Sequence, residues 1–324
     1  MNADGFLADV ERTPETLRSL ADAIDAVEAD RLAFGRLAAD VHRILLLGMG
    51  SSAYAAGVAA ARMRSYGVDA VAELASSDLL PPPSRGTLVV AVSASGSSVE
   101  TLAAAETYTG RAKVVAVTEQ PDSALGRAAD LVVPLLVGAE IGGVACRSYR
   151  HTLAVLLALG AHLSGRPVGP VASVCRLAAD ATADLLDRRL EWLPGVADLL
   201  AGADGSWVVA PSRRLASAQQ SALMVREGPR RPCHAAETAD WSHVDVYLTK
   251  TLDYRLLLLP GSAYEPELLR WTAERGSTVV CVGADVAGAA ATVHYLHDEQ
   301  DDVRLLAETT VAELVAHRWW AAQT

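Results

Sequence analysis

From Arg43 onward the chain alternates between two patterns. Short continuous apolar runs such as "RILLLG" and "TLVVAV" suit strands buried on both faces of a parallel sheet, and stretches with apolar residues every three or four positions suit amphipathic helices. The first half reads as "RILLLGMGSS" strand into "AYAAGVAAARMRSYG" helix, "DAVAEL" strand, "TLVVAVSAS" strand into "VETLAAAETYTG" helix, then the strands "KVVAVTEQ" and "DLVVPLL". The segment "RSYRHTLAVLLALGAHLSG" closes this unit as a helix ending at Gly165, and about two helices follow it. The second half repeats the order: "GSWVVAPS" into "RLASAQQSALMVRE", "DYRLLLLPGS" into "EPELLRWTAERG", the strands "STVVCVGAD" and "ATVHYL", and a last helix "TTVAELVAHRWWAAQ". Ahead of both units, residues 1–42 read as a helical arm, with Thr13 as N-cap and Pro14 at the first helical position. The expected class is α/β, with a helical arm at 1–42, a first domain at 43–165, linking helices at 166–200 and a second domain at 201–324.

Composition narrows the function. With 51% hydrophobic against 21% charged residues in 324, the chain can bury substantial cores. A formal net charge of −11 disfavours nucleic acid and anionic membrane surfaces as partners, so an anion has to be held locally. Lys113 and Lys250 are the only lysines, which restricts imine chemistry. Cys146, Cys175, Cys233 and Cys281 form no CxxC pair, and no secretory sequence or membrane-spanning run is read. Neither a disulfide framework nor a metal or cofactor is expected, and the cytoplasm is the expected compartment.

The candidate chemistry begins with "VSASGSSVETL", where a strand runs into a helix through four serines and one glycine. A turn of this kind needs one N-cap and at most one glycine. Ser93, Ser95, Ser97 and Ser98 therefore suggest an oxyanion site, in which hydroxyls supplement the free N–H groups of a helix N-terminus. The plainer alternative is a heavily decorated N-cap, with Ser98 capping and the rest incidental. A second turn, "GMGSSAYAAG", brings Ser51 and Ser52 to the same sheet edge. Its Gly48, Gly50 and Gly57 depart from the dinucleotide fingerprint and no Walker lysine follows, which disfavours nucleotides. In the second half, Pro260, Gly261 and Ser262 stand where the first has its serine cluster.

The segments "GMGSSAYAAG", "SASGSSVETL", "EIGGVACRSYRHTLAVLLAL" and "ALMVREGPRRPCHAAETADWSH" resemble the tandem SIS (sugar isomerase) family. That family includes the isomerase half of glucosamine-6-phosphate synthase, phosphosugar isomerases and fructosamine-phosphate deglycases. The resemblance implies a sugar phosphate held by Ser52, Ser93, Ser95 and Ser98, with the backbone around Gly143 and Ala145 lining the sugar. It also implies a homodimer with shared sites. Glu140 and Arg147 lie in that same segment and could equally be structural; Arg147 stands where a lysine is usual. Gln220 and Met224 replace charged residues of the synthase, and no glutaminase unit is read.

Glu227 is expected at the end of its helix, because Pro229 pushes Gly228 out of the α region. There the negative end of the macrodipole favours the protonated carboxyl, which suits proton shuttling, although a solvated last-turn glutamate is the commoner occurrence. The resemblance assigns Glu227 the proton transfer between C1 and C2 of an open-chain sugar. It assigns His243, sixteen residues on and expected just before a strand, the role of relay reaching into a neighbouring subunit, with the loop Gly228 to Trp241 as an arm over the partner. His234 is the competing histidine. The leading function is phosphosugar isomerisation or amino-sugar-phosphate deamination or deglycation through an enediol or enamine. The alternative is a non-catalytic regulatory module that binds a sugar phosphate, which the acidic first ~40 residues, lacking a helix-turn-helix signal, do not favour.

Overall fold

In the computed structural model the described residues are 1–29 and 41–323, with side chains omitted for 27–29. The arm expected at 1–42 is two helices, α1 (Ala3–Glu11) and α2 (Thr13–Ala29), and its remainder at 30–40 lies outside the described residues. The elements that follow are β1 (Arg43–Gly48), α3 (Ser51–Ser65), β2 (Ala70–Leu74), β3 (Thr87–Val92), α4 (Val99–Tyr108), β4 (Lys113–Thr118), α5 (Ala124–Ala128), β5 (Leu131–Pro134) and α6 (Arg147–Leu163). After α7 (Gly169–Asp187) and α8 (Arg189–Leu200) come β6 (Ser206–Ala210), α9 (Leu215–Glu227), β7 (Cys233–Glu237), α10 (Thr238–Trp241), β8 (Arg255–Leu258) and α11 (Glu265–Glu274). The chain ends with β9 (Thr278–Val282), β10 (Ala291–Val293), α12 (Asp301–Ala307) and α13 (Thr309–Ala321).

Two parallel five-stranded sheets result, ordered β2-β1-β3-β4-β5 and β10-β9-β8-β6-β7. Read from the second strand of each, both follow the order 2-1-3-4-5, so the sheets share one topology. The register pairs Leu45 with Val89 and Val89 with Val114 in the first sheet, and Val208 with Ala235 and Leu257 in the second. Continuous apolar strands are buried on both faces as a doubly covered sheet requires; every residue of β3 and β6 is buried.

The chain divides into two compact units. The first-sheet unit comprises Thr16–Ala139 and Arg147–Cys175; the second-sheet unit comprises Met1–Glu15, Glu140–Cys146 and Arg176–Thr324. The first core gathers Leu45, Leu47, Val89, Ala91, Val114 and Ala116 beneath Tyr108, whose hydroxyl donates to Pro81 O at 2.6 Å. The second is aromatic: Trp207 stacks on Tyr254 at 4.1 Å between centroids, and Trp241 Nε1 donates to the Tyr254 hydroxyl at 2.7 Å. All four cysteines are buried and none of them forms a disulfide, and no described helix is long and apolar enough to cross a membrane.

Two local expectations are corrected. The segment from Gly228 to Trp241 is not a free arm, because Cys233–Glu237 forms the edge strand β7 alongside β6 and Thr238–Trp241 forms α10. His243 precedes no strand; a 3₁₀ turn, Asp245–Lys250, follows it, since Val246 and Thr249 turn inward to bury.

Candidate functional site

The strand order reverses between β1 and β3, and in open parallel sheets such a reversal is where ligands bind, outside the strands' carboxyl ends. Both serine turns lie at this reversal. After β1, Gly50 caps α3 with φ of 52° and no side-chain bond, leaving Ser51 and Ser52 half-buried in the first turn. After β3, Ser93 is buried and its N–H donates to Val117 O at 3.0 Å, fixing the turn against β4. Gly96 follows with φ of 62°, and a Cβ there would run into the Ser123 side chain, so the close approach of this turn to α5 demands glycine.

The hydroxyls fall into two groups. Ser98 is the N-cap of α4, accepting from Thr101 N at 3.4 Å and donating to Glu100 Oε2 at 3.1 Å. Ser97 Oγ donates to Ser95 Oγ at 2.9 Å. By contrast, Ser51, Ser52 and Ser93 hydroxyls have no protein partner among the described residues. Ser98 thus carries the plainer capping role in addition to whatever it offers a ligand, whereas Ser51, Ser52 and Ser93 have hydroxyls to spare. No lysine or arginine belongs to either turn, so any anion here would be met by hydroxyls, N–H groups and helix dipoles.

Glu227 ends α9 as expected: Gly228 is the C-cap, with φ −74° and ψ −85°, and its N–H donates to Met224 O at 3.0 Å. The carboxyl is half-buried, and burial raises its pKa above the ordinary carboxylate value against the opposing charge of Arg226. The direction matches the sequence expectation, and desolvation is its leading cause. His243 is exposed, and its backbone N–H donates to Asp240 O at 2.9 Å. His234, on β7, lays its ring over Trp207 at 5.8 Å between centroids, which gives it a packing role.

In the segment 140–146, Glu140 accepts from Cys146 N at 2.9 Å. Gly143 is exposed with φ of 71°, and Ala145 is half-buried with its carbonyl accepting from Gln220 Nε2 at 2.7 Å. Arg147 is buried and donates at 2.6 Å to the carbonyls of both Val137 and Ala139, so its guanidinium pins the chain ahead of α6. The tie from Gln220 to Ala145 escaped the sequence because the partners are 75 positions apart and backbone carbonyls leave no compositional trace. Among the described residues, no cluster of three or more His, Cys, Asp or Glu could hold a metal. A separate groove in the first-sheet unit, lined by Leu20, Ile24, Pro134, Leu136, Val155 and Val168, has an almost wholly apolar lining and nothing to hold an anion.

Residues 38–161 match the SIS domain family. Over 128 residues, 38% of this chain, the sequence is 32% identical to an isomerizing glutamine–fructose-6-phosphate aminotransferase of Zymomonas mobilis, of which it covers 21%. The chain spans about a fifth to a third of the length of the curated relatives it matches. Among solved structures, the C-terminal domain of glucosamine-fructose-6-phosphate aminotransferase from Francisella tularensis superposes with a TM-score of 0.84 at 15% identity, covering 98% of this chain and 95% of that one. Tagatose-6-phosphate ketose/aldose isomerase from Escherichia coli superposes at 0.79 and 18% identity, over 98% and 93%. At such identities the likeness is one of fold, that of two SIS domains.

Proposed function

We propose that this chain acts on a phosphorylated keto- or amino-sugar, moving a proton between C1 and C2 through an enediol or enamine. Aldose–ketose isomerisation and amino-sugar deamination or deglycation share that step. The observation that carries the proposal is the β1/β3 reversal, where two hydroxyl-rich turns meet a helix N-terminus capped by no side chain. In this reading Ser51, Ser52, Ser93, Ser95, Ser97 and Ser98 receive the phosphate, and the backbone of Gly143 and Ala145 lines the sugar. Glu227 is the general base and acid; burial holds its carboxyl above the usual pKa, which favours both taking a proton and returning it. His243, exposed within its own chain, is proposed as the relay in a homodimer with shared sites, working in the cytoplasm. Several structural neighbours act, by their names, on sugar phosphates, as does the Escherichia coli isomerase, which accords with this substrate class.

The test is a thermal-shift screen pairing each sugar phosphate with its unphosphorylated sugar, since a ligand binding only the native state raises Tm by mass action. Phosphorylated members should raise Tm and their partners should not. Equal shifts for both forms would remove the phosphate from the proposal. A shift without turnover would leave a regulatory binding module.

A further inference from the structure

Gln220 is fully buried on α9, seven residues before Glu227 and on the same face, with Met224 between them. The separation along the helix is about 10 Å. Its Nε2 lies 2.7 Å from Ala145 O and 3.5 Å from Met224 Sδ. Both partners are acceptors, so the amide can be oriented only with its nitrogen toward them.

Residues Glu140–Cys146 belong by packing to the second-sheet unit although the chain on either side belongs to the other. The early part of this strap is held by α1: Gly142 N donates to Asp9 Oδ2 at 2.7 Å and Gly142 O accepts from Asn2 N at 3.2 Å. A Cβ on Gly142 would collide with the Phe6 backbone, so the strap lies directly against that helix. Further along, at Ala145, the side-chain bond from α9 is that of Gln220.

We propose that Gln220 is a positioning residue that fixes the backbone of Gly143 to Ala145 against the helix bearing Glu227, holding the wall of the sugar site and the base in one frame. The assignment rests on the proposed role of Glu227 as base. The structural part, the tie itself, stands independently of substrate.

The test compares wild type with Gln220→Leu, which keeps similar bulk without a donor, and Gln220→Glu, which can donate to Ala145 O only when protonated. Hydrogen exchange followed by mass spectrometry should show peptides covering 140–146 exchanging about tenfold faster in Gln220→Leu, with β6 and β8 unchanged. Turnover of the sugar phosphate identified by the screen should fall roughly 10²-fold, the scale of a 1 Å misplacement, while its thermal stabilisation of the protein persists. In Gln220→Glu, both strap protection and turnover relative to wild type at the same pH should recover as pH falls through the buried carboxyl's range. A residue that merely fills space would leave exchange at 140–146 in Gln220→Leu at the wild-type rate.

Unchanged exchange at 140–146 in Gln220→Leu would overturn the proposal whatever the substrate. So would faster exchange with undiminished turnover. If wild type moves no proton on any sugar phosphate, the proposed function fails, and the exchange data still decide whether Gln220 holds the strap. If the leucine variant does not fold, Gln220→Met, an unbranched side chain of similar size without a donor, gives the same decision.

Discussion

The two sheets have the same strand order, and their switch points are furnished in opposite ways. At the β1/β3 reversal the loops offer hydroxyls and an uncapped helix start. At the β6/β8 reversal the protein supplies its own ions. Glu265 accepts from Gly261 N at 2.7 Å and from Ser262 N at 3.3 Å, taking the donors that a ligand would use. Glu237 accepts from Ser212 N at 3.2 Å and Ala239 N at 2.7 Å. Behind them Arg214, fully buried, pairs with the equally buried Glu308 and donates to Asp301 Oδ1 at 3.0 Å and to Pro260 O. Arg213 donates to Gly261 O at 3.0 Å and also pairs with Asp301. One topology therefore leaves spare hydroxyls and an uncapped helix start at one reversal and builds a self-satisfied scaffold at the other. What separates them is a handful of residues in the turns and at the helix ends around them, not the fold.

The contrast breaks most severely at the serines. Ser93→Ala combined with Ser98→Ala should weaken a sugar phosphate by about 3–6 kcal/mol, since each hydrogen bond to a charged group is worth roughly 1.5–3. That is about two to four decades in Kd by calorimetry, with little change for the unphosphorylated sugar. Removing the N-cap should also cost about 1 kcal/mol of stability in urea titrations.

The second reversal should respond in stability and not in binding. Arg214→Met strands the Glu308 carboxylate in a buried site, and breaking such a pair costs about 3–5 kcal/mol. Denaturant midpoints should fall accordingly, while sugar-phosphate affinity of the folded fraction stays within twofold of wild type. Loss of affinity would mean that the second crevice takes part in recognition.

Acid should distinguish the units as well. His151, fully buried on α6, donates from Nδ1 to Leu135 O at 2.7 Å, and burial with the charges of Arg147 and Arg150 lowers its pKa from 6.5 to about 4. An imidazole whose folded pKa is depressed contributes stability that is complete above pH 6.5 and lost as pH falls toward 4, about 3 kcal/mol in all. Glu308 has the opposite sign: its pKa is raised by burial, so its contribution is kept at low pH and lost as pH rises through the folded value. Urea titrations between pH 7 and 4 should show a falling midpoint that His151→Gln flattens and Glu308→Gln does not.

Much of this contrast was legible in the chain. Continuous apolar runs announced the strands, and the surplus of serines marked the first turn because hydroxyls at a βα junction exceed what capping needs. The strand β7 was not legible: "CHAAE" lacks β-branched residues, and an edge strand is defined by its neighbour β6 rather than by its own propensity. Pro260, Gly261 and Ser262 showed that the second turn differs, but not that Glu265, four residues on from Gly261, fills it. Glu227 was placed by Pro229, a local rule; its desolvation depends on tertiary packing that no local pattern reports.

The most direct test is exchange of the C1 or C2 proton of a bound sugar phosphate with deuterated solvent, followed by NMR. Wild type should incorporate deuterium, with an acidic limb in its pH profile above the ordinary carboxylate range, because the raised pKa of Glu227 delays formation of the base as pH rises. Glu227→Gln should lose about 10²- to 10⁴-fold of that rate while the same ligand still raises Tm. Exchange at the wild-type rate in Glu227→Gln, or none in wild type with a sugar phosphate demonstrably bound, would contradict proton transfer by this carboxylate.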